Sequence, residues 1–379
     1  MSRCARILLL FGLTPGLLAA QASQFGVRSL GLPLTPASTA SQGMGGAWAT
    51  FDPESPLNPA SLTRMNRAIA TFNLRQHWRS SENPFGSASG NDTQFPLVIV
   101  GGPIGRRIGY GVSAAGLTDR TFSVPLTDTL VIRGQSLTVN DTLTSRGGIT
   151  DIRLGVAYAL TPRWSIGVGL HGLTGTNRIE YRRSFSDSAY FPVQLRNELS
   201  VAGPGVSIGL LGEPVAGLRV SAMYRKDGDL RLNKDSTRVA GIAMPTTIAG
   251  GLLWASGRLG LGGHVLARTW SVQNDYLLEE GGTGASNTLE VAIGGQLLSD
   301  PKQPLRLPLR FGGRYATLPY PVAVGGETGR ELALATGTGF MMGGGRAVID
   351  LMLEYARRTS GPRYTEQALT FGVGVAIRP

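Results

Sequence analysis

The sequence predicts an all-β fold: a 14-stranded antiparallel transmembrane β-barrel preceded by an N-terminal luminal plug. Three observations predict it. Side chains alternate between apolar and polar along most of the chain, the connections alternate between short and long, and a leader-like N-terminus is followed by a chain without cysteine.

Alternation with period two is the mark of a strand with two different faces. In "LRLPLRFGGRY", Leu305, Leu307, Leu309, Phe311 and Tyr315 fall on one face, and Arg306, Arg310 and Arg314 on the other. In "AVIDLMLEYAR", Ile349, Leu351, Leu353 and Tyr355 oppose Asp350 and Glu354. About 14 such segments are predicted, near 68–78, 93–101, 107–117, 149–160, 164–181, 195–210, 218–226, 244–254, 259–275, 287–298, 305–316, 331–342, 347–358 and 367–378. Pro96 and Pro204 weaken two of them, because proline cannot donate to a ladder. Tight turns at "TPR", "GEPVAG", "ASGR" and "GGGR" alternate with longer polar loops, of which 118–148 is the longest. That rhythm belongs to up-and-down barrels of the outer membrane. A charged side chain on the lipid side costs about 2–4 kcal/mol at mid-bilayer, so the charged rows are expected to face the lumen. Trp78, Trp164, Trp254 and Trp270 are candidates for interfacial girdles, and inward glycines such as Gly109, Gly155, Gly167 and Gly374 leave room for a segment against the wall.

Arg3 and Arg6, the apolar run Ile7–Ala20 and the Ala20-Gln21-Ala22 site predict a cleaved signal peptide over 1–22. The one Cys, Cys4, lies before the apolar run, so the mature chain would have none and disulfides are excluded. With Arg3 and Arg6 gone, 34 basic against 25 acidic residues leave a charge of +9. For an exported chain with scattered charge, outer-membrane lipid and lipopolysaccharide are more natural acidic neighbours than nucleic acid, and no nucleic-acid partner is expected.

The segment "ASTASQGMGGAWATFDPESPLNPASLT" suits neither helix nor strand. Gly43, Gly45 and Gly46 permit close approach and positive φ. Pro53, Pro56 and Pro59 stiffen the path, and Asn58 before Pro59 favours a turn. A compact plug over 23–66, ahead of a barrel over 67–379, is the expected arrangement. This segment resembles the N-terminal signature of the FadL-type outer-membrane transporters of hydrophobic compounds, a superfamily that also includes barrels of the type IX secretion system. Gly43, Gly45, Ala47, Asp52, Asn58, Pro59 and Ala60 occupy the signature positions. The resemblance implies a plugged 14-stranded barrel in the bacterial outer membrane. It also implies passive uptake of a hydrophobic small molecule, fatty-acid-like or aromatic, with lateral release through a gap in the wall. Pro96, or Pro103 after it, is a candidate for the kink that makes the gap. The alternative is a barrel that anchors or assists the export of surface proteins. The barrel assembly machinery is an expected partner, although the C-terminal "FGVGVAIRP" departs from a terminal aromatic residue.

Chemistry of other kinds has little support. The three histidines, His77, His171 and His264, are all phased toward the lumen without metal-ligand spacing. No metal, cofactor or enzymatic activity is expected. Arg306, Arg310, Arg314, Asp350 and Glu354 are expected to form a luminal charge network that holds the plug.

Overall fold

In the computed structural model, residues 23–379 are described apart from positions 85, 133, 188, 235, 236, 280 and 281. The expected leader, 1–22, therefore lies outside the described residues. Fourteen antiparallel strands form the wall. They are β1 (Ile69–Asn83), β2 (Gly86–Ile104), β3 (Ile108–Asp119, continuing as Phe122–Ile132), β4 (Gln135–Ala159), β5 (Trp164–Phe185), β6 (Val193–Val215) and β7 (Leu218–Asp227, continuing as Leu230–Lys234). After them come β8 (Thr237–Ile242, continuing as Thr247–Ser256), β9 (Leu259–Arg268), β10 (Thr288–Leu297), β11 (Leu309–Pro321), β12 (Thr328–Met342), β13 (Ala347–Ser360) and β14 (Tyr364–Ile377). Each pairs with the next, and β14 returns to β1 from Thr365↔Glu82 to Ile377↔Ala70. The sheet is closed, and closure removes the edges that an open sheet would expose.

The register sorts the side chains by face. Val112, Leu154, Val168, Ile208, Leu252 and Leu353 point outward and are exposed, whereas Arg153, His171, Ser207, Arg225 and Arg310 point inward and are buried. A continuous exposed apolar belt of this extent suits hydrocarbon rather than water. Polar groups inside are shielded from it and must find partners in the lumen.

Beyond the belt the pattern inverts. On β5 the outward residues change from Ile166, Val168 and Leu170 to Arg178, Glu180 and Arg182. The inward ones change from Ser165 and His171 to Leu173, Ile179 and Tyr181. The same holds across the β3–β4 hairpin, where Phe122, Val124 and Leu126 lie opposite Ser145, Leu143 and Asp141 on the inner face. The projecting sheet is thus wet outside and apolar inside. The segment 118–148 is therefore not a loop but the upper half of two strands. Its polar residues are the outer row of a sheet standing clear of the belt.

Three further expectations are corrected. The strand predicted at 259–275 ends at Arg268, and the chain turns inward through Trp270–Gln273 and the short helix Asn274–Glu279. Trp270 is therefore no girdle residue. It is 2% exposed and meets Tyr320 edge-on at 5.8 Å in an apolar cluster with Leu30, Ile149 and Leu230. Strand β11 starts at Leu309, so Leu305 and Leu307 do not extend its outward row; Leu305 packs beside the Leu62–Met65 cluster, and Leu307 has φ 49°.

Candidate functional site

Residues 23–66 run along the inner face of the wall. At the long-hairpin end Ser23 donates its hydroxyl to Glu366 Oε1 at 2.9 Å, and the Gln24 backbone N–H donates to Glu366 Oε2 at 3.0 Å. Arg75 Nη2 donates to the Ala37 carbonyl at 3.0 Å. Toward the tight-turn end, Asn58 caps the 3-10 turn Pro59–Arg64 by accepting from the Ala60 N–H at 3.0 Å. Its amide donates to the carbonyls of Thr50 and Leu210, both at 3.1 Å, and so ties the segment to β6.

The sequence-predicted residues of this segment divide by cause. Gly45 and Gly46 have φ of 67° and 86°, which only glycine adopts without strain. Gly43 has an ordinary helical φ of −59°; a Cβ there would sit 3.1 Å from Gly337 of β12. Asp52 has a local task, accepting from the hydroxyls of Ser38 at 2.5 Å and Ser55 at 2.8 Å. Pro59 and Ala60 press on Gly167, where any side chain would collide with the backbone.

Pro96 sits at a defect in the wall. The register of β1 with β2 passes from Asn73↔Leu97 to Arg75↔Gln94, so Phe95 and Pro96 together oppose Leu74. The register of β3 with β4 passes from Gly116↔Thr150 to Thr118↔Ile149, leaving Leu117 as an extra residue. Both strands thus bulge at the same height, and bulges bend the strand that carries them. Pairing between β2 and β3 runs from Ile104↔Ile108 to Leu97↔Ala115 and stops there. Above that point the seam is parted, and a cavity of about 440 Å³ lined by Gln94, Pro96, Gly116 and Asp119 occupies it. Two things span the opening. Gln94 donates to Asp119 Oδ2 at 2.8 Å, and Leu32–Pro33 pair with Thr118 and Asp119 on the edge of β3 that β2 has left. Pro103, by contrast, lies within the regular β2–β3 ladder opposite Gly109.

A second cavity, about 260 Å³, lies beside this seam and shares Gly148 and Ile149 with it. Leu30, Ile179, Leu199, Val201 and Ile242 line it. Arg120 forms its polar end, with Nε unpartnered and no ion pair among the described residues.

The charged row is partly as expected. Arg310 Nη1 meets Asp350 Oδ1 at 2.5 Å. Arg314 Nη2 lies 2.9 Å from Glu331 and 3.2 Å from Glu354. Arg358 extends the chain of charges from Glu331 to Glu366, each at 2.6 Å, and so to Ser23. Arg306 is not part of it. It is exposed in the turn before β11, because the strand starts three residues later than the alternation suggests.

Sequence reasoning missed Glu331, Arg358 and Glu366, although each falls on an inward position of its strand. It also missed a polar ladder across β4–β7. His171 Nδ1 is 2.9 Å from both Asp151 oxygens and its Nε2 is 2.8 Å from Ser207 Oγ. The order resembles a hydrolytic triad. Here Arg225 binds Asp151 at 2.5 Å, and Ser207, 2% exposed, borders none of the cavities described above.

A model of the family described as BamG matches residues 19–235. No curated protein matches the chain. Among solved structures, a Pseudomonas aeruginosa FadL homologue aligns with a TM-score of 0.62 at 12% identity, covering 92% of this chain and 99% of its own. The Ralstonia pickettii toluene transporter TbuX gives 0.64 at 16% identity, with 91% and 99% covered. The Pseudomonas putida toluene transporter TodX gives 0.61 at 13% identity, again with 91% and 99% covered. The likeness is one of fold.

Proposed function

Since this chain belongs to the BamG family and is built as a barrel of the FadL type, we propose that it is an outer-membrane channel for passive uptake of hydrophobic small molecules. The observation that carries this reading is the adjacency of two spaces. An apolar inner cavity shares Gly148 and Ile149 with an opening in the wall at belt height. A molecule collected on the apolar inner face of the projecting sheet would pass into the cavity. It would then leave sideways between β2 and β3 into the bilayer, without crossing the charged lower lumen. Residues 23–66 act as the plug, residues 67–379 as the barrel, and 1–22 as the removed leader. The cavity volume suits a monoaromatic or short aliphatic compound better than a long chain. The reading needs no catalysis, and its partners are membrane lipid, lipopolysaccharide and the assembly machinery that inserts barrels.

Uptake of a radiolabelled aromatic hydrocarbon into vesicles containing the protein tests it. Leu199→Trp, which fills the cavity, is expected to reduce uptake to the level of protein-free vesicles. Ile152→Trp, on the outward face, should leave uptake intact. Equal rates for all three proteins would remove the transport reading and favour the anchoring or export role. Pro96→Val should lower uptake by easing the bend in β2; an unchanged rate would show that the proline does not keep the seam apart.

A further inference from the structure

The tight-turn end of the barrel carries a repeated feature that the channel reading does not use. Four of its turns place an arginine at the same position, the last residue before the next strand begins: Arg107 before β3, Arg163 before β5, Arg258 before β9 and Arg346 before β13. The backbone repeats with them. The carbonyls of these four residues accept the N–H of Ala159, Glu213, Leu298 and Arg378, each at the end of a neighbouring strand. Equivalent backbone positions put the four side chains at one level around the barrel, just past the apolar belt. All four are exposed, and none takes part in an ion pair among the described residues. Arg107 shows its direction, because its Nη1 donates to the hydroxyl of Tyr158 at 3.3 Å, and Tyr158 belongs to the outward row. That guanidinium therefore lies against the outer wall rather than across the mouth.

Counter-charge is sparse at this rim. Glu213 is held between Arg64 at 3.8 Å and Arg219 at 3.5 Å, and the Asp300 carboxylate accepts from the Lys302 N–H. The opposite end is mixed. Arg178, Arg183 and Arg196 pair with Glu198, Asp141 and Glu180, and Asp229, Asp275 and Glu327 are exposed among the basic residues.

We propose that the tight-turn rim is a binding surface for anionic glycerophospholipid headgroups, with Arg107, Arg163, Arg258 and Arg346 as four equivalent phosphate contacts. The proposal rests on the membrane seating argued above. A ring of cations level with the edge of an apolar belt meets headgroups all round. An acidic protein would instead need a basic patch on one side or over the mouth. Guanidinium donors match phosphate oxygens in geometry and charge. The turns are short and their backbones are tied to neighbouring strands, so the four groups are held in place before a lipid arrives.

The test uses the full chain reconstituted in phosphatidylcholine vesicles containing a trace of spin-labelled phosphatidylglycerol or spin-labelled phosphatidylcholine. The motionally restricted fraction of each label is read by electron paramagnetic resonance. The wild type is expected to prefer phosphatidylglycerol roughly threefold at low salt, and the preference should fade as salt rises. The quadruple variant Arg107→Gln, Arg163→Gln, Arg258→Gln, Arg346→Gln should show equal association of the two lipids. Its heat-modifiable gel mobility should match that of the wild type. Arg182→Gln with Arg330→Gln, at the other end, should keep the preference. No preference in the wild type, a preference surviving in the quadruple variant, or a loss caused equally by the control pair would overturn the assignment. It would leave the ring free for an acidic protein surface. Absence of a restricted fraction for either lipid would count against membrane seating itself, which is a different failure.

Discussion

Replacing Gly109 with leucine is expected to unseat the lower part of the plug and turn a closed barrel into a leaking one. Gly109 faces the lumen on β3, and any Cβ there would collide with the carbonyl group of Leu62. Both atoms of the collision belong to backbone, or are fixed to it, so no rotamer relieves it. The barrel wall is held by ladders on both sides, whereas Pro59–Arg64 is a single 3-10 turn; the turn must move. Its movement withdraws Leu62, 0% exposed, and Met65, 6% exposed, from the wall. At about 1.5–3 kcal/mol for each large apolar side chain, the seating loses roughly 5 kcal/mol. Gly312→Leu should act similarly higher up, because its Cβ would strike the Met44 carbonyl. Gly172→Leu is the control: it faces outward, and its Cβ would meet its nearest neighbour at 3.9 Å. Single-channel conductance in planar bilayers should rise for the first two variants and not for the third. Conductance that stays at the wild-type level in Gly109→Leu would show that this segment does not seal the pore.

Arg310→Ala and Arg306→Ala are expected to differ sharply, although the residues are four apart in one alternating row. Arg310 is 3% exposed and its Nη1 is 2.5 Å from Asp350. Removing it strands a buried carboxylate, which costs about 3–5 kcal/mol. The double variant Arg310→Ala, Asp350→Ala removes both charges and should recover much of that loss, since the penalty belongs to the unpaired charge rather than to the missing attraction. Arg306 lies in solvent before β11 and forms no ion pair among the described residues, so its loss should change stability by less than about 0.5 kcal/mol. Denaturant titration monitored by tryptophan fluorescence gives all three values. Equal destabilisation by the two single variants would contradict the placement of the network.

The contrast between these arginines shows how far the sequence could be read. Alternation gives the face of a residue once it is in a strand. Leu351 and Leu353 lie outward and Asp350 and Glu354 inward, as their spacing requires. It does not say where the strand begins. "LRLPLRF" alternates across the boundary at Leu309, and Arg306 is misplaced for that reason alone. Nor does it say where the belt ends. The residues of 118–148 look like a polar loop because their outward row is polar, as an outward row must be once it leaves hydrocarbon. Inversion of the two faces on β5 and β3 was visible only when the register was known. Trp270 was misread from the same source, since an aromatic at the end of an apolar run serves equally as a girdle or as the cap of an inner cluster. The glycine and proline content of 43–60 did indicate close packing. Which wall glycine met which backbone atom depended on pairings hundreds of residues apart. The parted seam was legible only as Pro96, half of its cause; Leu117 is an ordinary leucine until the ladder shows that it has no partner.

The paired bulges have an evolutionary meaning. Each is one residue long: Phe95–Pro96 face one residue of β1, and Leu117 is the single surplus of β3. Losing one codon on each flank would restore regular pairing to both strands without reversing any side chain beyond them. Their ladder could then run on past Leu97. A breached and a seamless version of this architecture are therefore separated by two small deletions, so a lineage could lose its side door, or acquire one, while every other strand kept its register.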